Sequence, residues 1–307
     1  MSGTVNTFSA RAGGMLLALA CLAGSAAAAT GPAGYALDNT EVRDIRARAL
    51  QRDYQLYVAL PDSYKEGARR YPVLFVSDAN YAFPVVRNIA QRLHKHAGME
   101  EVIVVGLSYA KGDNGMHSRR RDYTPSVPRK QAYSAVMPGR PPEFGQAAAY
   151  GKFLTSEVLP LVARPYRADM RRKVFVGHSY GSLLGLEMLL SEPRSFEHYI
   201  LGSPSLWFDA GVMFEREKAY AGRHRDLPAS VFFGIGGLER LAPGKKRSRS
   251  EEDADMVEDL REFDGALRTH RYPHLKTQLR VFHEEDHASV FPSVLTHGLR
   301  SYLSSSK

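Results

Sequence analysis

One pentapeptide constrains the fold of this chain more than any other feature. Residues 177–181 read GHSYG, follow the apolar run VFV and precede the helix-like segment LLGLEMLL. A G-x-S-x-G sequence between a strand and a helix is typical of a nucleophile elbow, whose turn leaves no room for side chains two residues either side of the serine. The turn lifts the hydroxyl above the sheet, so Ser179 is predicted to be a catalytic nucleophile.

The rest of the chain alternates short apolar runs with helical patterns. Strands are predicted at residues 54–59, 73–76, 102–106, 174–176, 199–201, 231–234 and 278–282. Helices are predicted at residues 150–161, at 256–267 after a capping box of Ser250 and Asp253, and at 293–302. This alternation is typical of an α/β fold with a mostly parallel central sheet and helices on both faces, and the elbow makes it the α/β-hydrolase fold.

Two segments depart from the alternation. Residues 108–144 are rich in Pro, Gly and Arg and lack a clear period, which predicts a loop excursion or a lid. Residues 1–29 contain Arg11, a short apolar run and then small residues, with no acidic residue, as in a cleavable secretory signal peptide. Residues 30–307 are therefore expected to form a single domain in the periplasm or outside the cell.

Cysteine and charge exclude several classes of protein. Cys21 is the only cysteine and lies in the leader, where lipid attachment is a weaker alternative to cleavage after the small residues 26–29. A mature chain without cysteine has no disulfide, thiolate nucleophile or cysteine-bound metal. The formal net charge of +8 favours anionic partners. No nucleic-acid motif accompanies that charge, and no segment is long enough to span a membrane.

A serine hydroxyl needs a base, and this fold supplies its partners in the order serine, acid, histidine. His287 is the predicted base because it lies in the loop after the last predicted strand, whereas its rival His283 lies at the strand end itself. Glu239 follows the preceding strand and is the predicted acid that orients the imidazole. The other acids that remain open are Asp226, Asp255, Asp259 and Glu285.

Two backbone N–H groups are predicted to stabilise the oxyanion that forms when an ester carbonyl is attacked. One belongs to Tyr180, directly after the serine, and the other to Asn80, in the segment SDANYAF that follows a predicted strand. This chemistry needs neither a metal nor an organic cofactor. The spacing of His283 and His287 would suit a metal site on a helix rather than at a strand exit.

Five segments carry a resemblance to a known family: YPVLFVSDAN (71–80), RRRDYTP (119–125), FLTSEVLPLV (153–162), GSPSLWFD (202–209) and EEDHASV (284–290). Together with the elbow they resemble the putative-esterase family of α/β hydrolases. That family includes esterase D, feruloyl esterases, secreted mycolyltransferases and enterochelin-type siderophore esterases. Ala79 and Ser182 stand where relatives often have glycine. Ala79 puts the width of the oxyanion loop in question, whereas Ser182 is expected only to tighten the packing behind the elbow.

The resemblance implies a binding surface as well as a reaction. It implies that three arginines line the cleft and bind an anionic catecholate ester: Arg119, Arg120 and Arg121. Trp207 would form an apolar wall beside them. A structural ion-pair cluster with Asp122 is the alternative for them. Some siderophore esterases work with a serine and histidine dyad, which leaves the role of Glu239 open.

The expected activity is hydrolysis of a bulky anionic ester, such as a catecholate siderophore, through an acyl-enzyme. A general carboxylesterase that acts on small acyl, S-formylglutathione-like or feruloyl esters is the alternative. A non-catalytic binding protein on the same fold is a third hypothesis, because a fold does not dictate a function. The sequence leaves the oligomeric state open.

Overall fold

The computed structural model describes residues 1–6, 35–129 and 133–304. The chain divides into two units, Met1–Ala36, most of which is not described, and Leu37–Lys307, which contains every element given below. The leader predicted at residues 1–29 therefore lies outside the described residues, apart from its first six.

Eight strands form the sheet of the described residues: β1 (Thr40–Ala47), β2 (Arg52–Ala59), β3 (Tyr71–Val76), β4 (Ile103–Leu107), β5 (Ala168–His178), β6 (His198–Gly202), β7 (Ala229–Gly236) and β8 (Leu275–Phe282). Their order across the sheet is β1-β2-β4-β3-β5-β6-β7-β8. The pairs β1/β2 and β2/β4 are antiparallel, and all pairs from β4 to β8 are parallel. The predicted α/β fold with a mostly parallel sheet is confirmed.

All seven predicted strands overlap observed ones, and the eighth, β1, was missed. Its sequence TEVRDIRA carries charged residues on a half-exposed edge strand, so it lacks the apolar run that identifies buried strands. Strand β5 also begins earlier than predicted, since residues 168–173, four of which are charged, extend it beyond its apolar core. Edge position and polar extensions are features that composition alone does not reveal.

The helices of the described part are α1 (Ala79–Ala97), α2 (Gly115–Tyr123), α3 (Ala147–Phe153), α4 (Leu159–Ala163), α5 (Tyr180–Ser191), α6 (Phe208–Ala221), α7 (Met256–Thr269) and α8 (Phe291–Ser304). A π-helical turn (Leu154–Val158) joins α3 to α4, and two 3₁₀ turns occupy Asp62–Glu66 and Pro193–Ser195. Helices α1 and α8 pack on one face of the sheet, and the others supply the core of the opposite face. None of these helices is long and apolar enough to cross a membrane.

The start of α7 differs from the prediction. The capping box expected from Ser250 and Asp253 is wrong, because Asp255 is the N-cap and its carboxylate accepts the Glu258 N–H at 2.9 Å. Asp255 lies directly before the first apolar residue of the helix, so its side chain reaches the free N–H groups that residues further upstream cannot.

The excursion at residues 108–144 contains a helix, α2, and is tied to the rest of the fold at several points. Asn114 caps α2 by accepting the His117 N–H at 2.8 Å. Further along, Asp209 of α6 accepts hydrogen bonds from the Ser126 hydroxyl at 2.6 Å and the Arg129 N–H at 2.9 Å. The described part of the excursion is thus an anchored layer over the carboxyl ends of the strands.

Candidate active site

The elbow is formed where β5 meets α5. Ser179 has φ 58° and ψ −118°, a strained conformation between the last strand residue, His178, and the first helix residue, Tyr180. A Cβ on Gly177 would overlap the Gly181 carbonyl, and a Cβ on Gly181 would overlap the Ser77 hydroxyl. The glycines therefore permit the close approach of strand, turn and helix that the elbow requires.

The Ser179 hydroxyl lies in a cleft of about 350 Å³. It lies 3.2 Å from the Ser205 hydroxyl, with which it shares a hydrogen bond. The residues that line the cleft are Met116, Arg119, Arg120, Ser179, Tyr180, Ser205, Trp207, Glu251, Met256 and His287. The predicted nucleophile and the predicted base therefore face the same space.

His287 and Glu239 form a hydrogen-bonded pair at the edge of this cleft. Glu239 follows β7, His287 follows β8, and His287 Nδ1 lies 2.6 Å from Glu239 Oε2. The carboxylate also accepts the Ser203 hydroxyl at 2.6 Å and the Gly236 N–H at 2.8 Å. Burial alone would raise the pKa of Glu239, but the hydrogen bonds from His287 and Ser203 outweigh burial and lower that pKa below its ordinary value.

The hydrogen bond to Glu239 also determines which nitrogen of His287 can act as a base. An ionised carboxylate only accepts, so Nδ1 carries the proton of the neutral ring and Nε2 has a free lone pair. Nε2 has no hydrogen-bond partner among the described residues. The ring can therefore accept a proton at Nε2 from a hydroxyl in the cleft while the carboxylate stabilises the imidazolium that results.

The rivals of these residues lie elsewhere. His283 is exposed at the end of β8 and does not line the cleft. Each alternative acid has another partner: Asp226 binds His274, Asp255 caps α7, Asp259 pairs with Arg247, and Glu285 accepts the Ser293 hydroxyl. Of the five acids considered, Glu239 alone reaches the His287 ring.

The predicted oxyanion donors lie in the first turns of two helices that follow neighbouring parallel strands. Tyr180 is the first residue of α5, after β5, and Asn80 is the second residue of α1, after β3. The N–H groups of Tyr180, Ala79 and Asn80 have no acceptor within the described ranges. Both helix N-termini thus present free N–H donors at the carboxyl ends of these strands, and the positive end of each helix dipole lies there as well.

The two departures from the family pattern have separate structural effects. The methyl group of Ala79 is buried against Gly106 of β4, so it does not project into the cleft. The Ser182 hydroxyl donates to the carbonyls of Gly177 and Gly202 at 3.0 and 2.8 Å. These two hydrogen bonds connect α5 to β5 and β6, as expected if Ser182 tightens the packing of the elbow.

Two of the three predicted arginines line the cleft. Arg119 Nε lies 2.9 Å from Oδ1 of the buried Asp78, and its guanidinium lies 5.5 Å from the centre of the Tyr180 ring. Arg120 stacks on Tyr133 at 4.9 Å and donates to the Ser134 carbonyl at 3.0 Å. Both cations line the same cleft as Ser179, where they can interact with a negatively charged molecule.

Arg121 does not line the cleft, and the prediction that it does is corrected here. Its side chain is 1% exposed and forms ion pairs with Asp113 at 2.7 Å and Asp122 at 2.8 Å. Successive residues of a helix point about 100° apart, so three consecutive arginines of α2 cannot face one cleft. The alternative of a structural ion-pair cluster applies to Arg121.

Several functional neighbours were not predicted. Trp207 does form an apolar wall, 6.1 Å from the Tyr180 ring, but Met116, Met256, Ser205 and the acidic Glu251 also line the cleft. Within residues 35–129 and 133–304, no three His, Cys, Asp or Glu side chains are grouped to hold a metal ion. The only sequence signal for Ser203 and Ser205 is their place in the GSPSLWFD segment.

Comparison with known proteins places these residues in a family context. Residues 47–277 match the protein family described as Putative esterase. The ferri-bacillibactin esterase BesA of Bacillus subtilis is 27% identical over 276 residues, which cover 87% of this chain and 90% of that protein. The siderophore triacetylfusarinine C esterase of Aspergillus fumigatus is 27% identical over 273 residues, 81% of this chain and 88% of the relative.

A solved structure shows the same architecture. The BES protein from Bacillus cereus is similar with a TM-score of 0.72 at 25% identity, covering 89% of this chain and 98% of that one. The similarity therefore extends over almost all of the described unit.

Proposed function

This chain belongs to the Putative esterase family, and from that premise we propose that it hydrolyses a bulky anionic ester, such as a catecholate siderophore, with Ser179 as nucleophile. One observation carries the proposal. The Glu239–His287 hydrogen bond and the Ser179 hydroxyl lie at the same cleft as two cationic side chains, Arg119 and Arg120.

The reaction proceeds through an acyl-enzyme. The Ser179 hydroxyl turns from Ser205 toward His287 and attacks the ester carbonyl carbon as Nε2 of His287 takes its proton. The N–H groups of Tyr180 and Asn80 stabilise the oxyanion, and His287 returns the proton to the leaving alcohol. A water molecule, deprotonated by His287, then attacks the acyl carbon; the bond to Ser179 Oγ breaks, His287 returns the proton to that oxygen, and the acid is released.

The lining of the cleft supports the class of substrate. Arg119 and Arg120 supply positive charge on one side, while Met116, Trp207 and Met256 supply apolar and polarizable surface that suits aromatic rings. The relatives described above are named for siderophore substrates, one a bacillibactin complex and one a triacetylated fusarinine. Charge and apolar surface together favour an anionic aryl ester over a small neutral one.

Export belongs to the same proposal. The composition of residues 1–29 supports cleavage of a signal peptide and release into the periplasm or the medium. The mass of the protein recovered from a periplasmic fraction measures this cleavage. A mature chain that still contains Arg11, or recovery from the cytoplasm alone, would contradict it.

The substrate is tested by comparing two esters on one preparation. Hydrolysis of a ferric catecholate trilactone is measured beside hydrolysis of p-nitrophenyl butyrate, with Ser179→Ala as the matched control. A kcat/KM at least about 10-fold higher for the trilactone, a difference of about 1.4 kcal/mol in transition-state stabilisation, supports the proposal. Equal or faster turnover of the small ester indicates a general carboxylesterase instead.

The third hypothesis, a binding protein without activity, is tested separately. A fluorophosphonate probe reacts with an activated serine, so wild-type protein should be labelled at Ser179 and the alanine variant should not. Folded wild-type protein that resists labelling would falsify the enzymatic proposal while leaving the fold intact.

A further inference from the structure

The second residue of the elbow pentapeptide, His178, contacts the loop that carries the base. Its Nε2 lies 2.9 Å from the backbone carbonyl oxygen of His287, and the two imidazole ring centres lie 4.7 Å apart. A carbonyl oxygen only accepts hydrogen bonds, so Nε2 of His178 carries the proton. We infer that His178 is a positioning residue that holds the His287 loop at a fixed distance from Ser179; this inference rests on the catalytic roles proposed above.

The topology shows why such a link matters. His178 is the last residue of β5 and the direct neighbour of Ser179, whereas His287 follows β8, three positions away across the sheet. The base loop, residues 283–290, is bonded to the Glu239 loop through the Leu238 N–H, which donates to the Glu285 carbonyl, and the Gly237 N–H donates to the last residue of β8, Phe282. Among the described residues, the His178–His287 bond is the one hydrogen bond that joins residues 177–181 to residues 283–290.

The surroundings of His178 keep its ring in one orientation and one protonation state. The residue is 8% exposed, and its ring lies 5.7 Å from that of Phe291. The His178 Nδ1 atom packs against Gly202, so closely that a Cβ atom added to this glycine would lie only 2.9 Å from it. This buried nitrogen has no hydrogen-bond partner in the part of the chain described. A proton at Nδ1 would be buried without an acceptor, so the Nε2–H tautomer is favoured.

A neutral ring is also what the proposed reaction needs at this position. His287 becomes positively charged in the transition state, and a second cation 4.7 Å away would oppose that charge. The charged groups that face His178 are Glu239, His287 itself and Arg119, whose Nη2 lies 3.4 Å from the His178 carbonyl. Burial, together with the nearby His287, lowers the pKa of His178 to about 4, so it stays neutral while His287 acts as base.

Two substitutions separate the hydrogen bond from the ring contact. His178→Phe keeps an aromatic ring beside His287 but removes the donor, whereas His178→Gln places an amide N–H where Nε2 was. We expect His178→Phe to lower kcat for p-nitrophenyl butyrate by about 10-fold or more with KM within about 3-fold, since a misplacement of about 1 Å can cost about 10²-fold in rate. His178→Gln should restore kcat to within about 3-fold of wild type.

His283→Gln is the matched control, because His283 is exposed on the same chain segment, outside the cleft. A merely structural role would predict a lower melting temperature with equal losses in both variants. The inference is overturned if His178→Phe keeps kcat within about 3-fold of wild type, or if His178→Gln is as slow as His178→Phe.

Wild-type protein gives an independent test that requires no folded variant and no activity. In ¹⁵N NMR spectra of histidine-labelled protein, the His178 signal, assigned by backbone correlation, should show a neutral Nε2–H tautomer from pH 7.5 to pH 5.5. An Nδ1–H tautomer or a charged ring in that range overturns the inference. Failure of the proposed function gives a different result: wild-type protein then neither hydrolyses esters nor reacts with a fluorophosphonate.

Discussion

Glu239 Oε2 accepts a hydrogen bond from His287 Nδ1 at 2.6 Å, although the carboxylate is 3% exposed and its other oxygen is already occupied. Oε1 accepts the Ser203 hydroxyl and the Gly236 N–H. Three donors therefore converge on one buried carboxylate, which fixes its orientation and, with it, the tautomer of the imidazole.

Replacement of this carboxylate by an amide tests the arrangement. In Glu239→Gln the amide oxygen should take the place of Oε1, because two donors point at it, and the NH₂ group would then face His287 Nδ1. A donor there forces the proton onto Nε2, so the ring cannot act as base toward Ser179. We expect kcat to fall by roughly 10²–10⁴-fold, with little change in KM, in steady-state assays of an activated ester.

Glu285→Gln is the control for that experiment, because Glu285 lies in the base loop and bonds Ser293 instead of His287. It should retain wild-type kcat within about 2-fold. If both variants are equally active, Ser179 and His287 work as a dyad and the carboxylate is dispensable.

Charge in the cleft should control the preference for anionic esters. Arg120→Met removes a cation that lines the cleft, and Glu251→Gln removes an anion from the same lining. Because like charges repel and opposite charges attract, the first change should raise KM for an anionic ester by about 3- to 10-fold, and the second should lower it. KM for a neutral ester should move less than about 2-fold in both variants, and 0.5 M salt should shrink the differences.

Changes of the same sign for Arg120→Met and Glu251→Gln, or equal changes for neutral and anionic esters, would show that packing rather than charge determines substrate preference. Arg120 is preferred over Arg119 for this test. Loss of Arg119 would leave the buried Asp78 without its ion-pair partner and so confound binding with stability.

Arg121 should behave as a structural residue, unlike Arg120, which precedes it in the sequence. Its guanidinium is buried between Asp113 and Asp122, and removal of one member of a buried ion pair leaves an uncompensated charge. Arg121→Met should therefore lower the free energy of unfolding in urea by about 3–5 kcal/mol. Arg171→Met is the control, since Arg171 is 94% exposed and should change stability by less than about 0.5 kcal/mol.

The contrast among these arginines shows where sequence reasoning reaches its limit. The elbow around Ser179 could be predicted because its glycines, strand and helix are contiguous, and the chain order of the fold then led to His287 and Glu239. The direction in which Arg121 points depends on the rotation of α2 against the sheet, which a helix of nine residues with no apolar stripe does not reveal.

Contacts between distant segments could not be predicted from the sequence for a related reason. Ser203 bonds Glu239 and His178 bonds the His287 carbonyl, and each pair joins segments at the carboxyl ends of different strands. Such contacts depend on the register of the parallel strands, which is set by the packing of the whole sheet rather than by local pattern. Edge strand β1 was missed because its polar composition does not produce a buried-strand signal.

A buried histidine far from the elbow should make stability depend on pH. His198, at the start of β6, is 4% exposed, stacks on Tyr302 at 5.1 Å, and has a buried Nε2 with no hydrogen-bond partner among the described residues. Burial lowers the pKa of His198 from 6.5 to about 4. Between these values the unfolded chain binds a proton that the folded chain does not, so the free energy of unfolding must fall as the pH falls.

His198→Phe keeps the stack on Tyr302 and removes the titrating group, so it isolates this contribution. From pH 6.5 to pH 5, urea unfolding should show wild type losing about 1.5 kcal/mol more than the variant. One pKa unit corresponds to about 1.36 kcal/mol, and the unfolded histidine is only half protonated at the upper end of this range. Other histidines and the carboxylates titrate equally in both proteins and cancel in the difference. Parallel stability curves for the two proteins over this range would mean that His198 is protonated in the folded state, and that the cavity around it admits water.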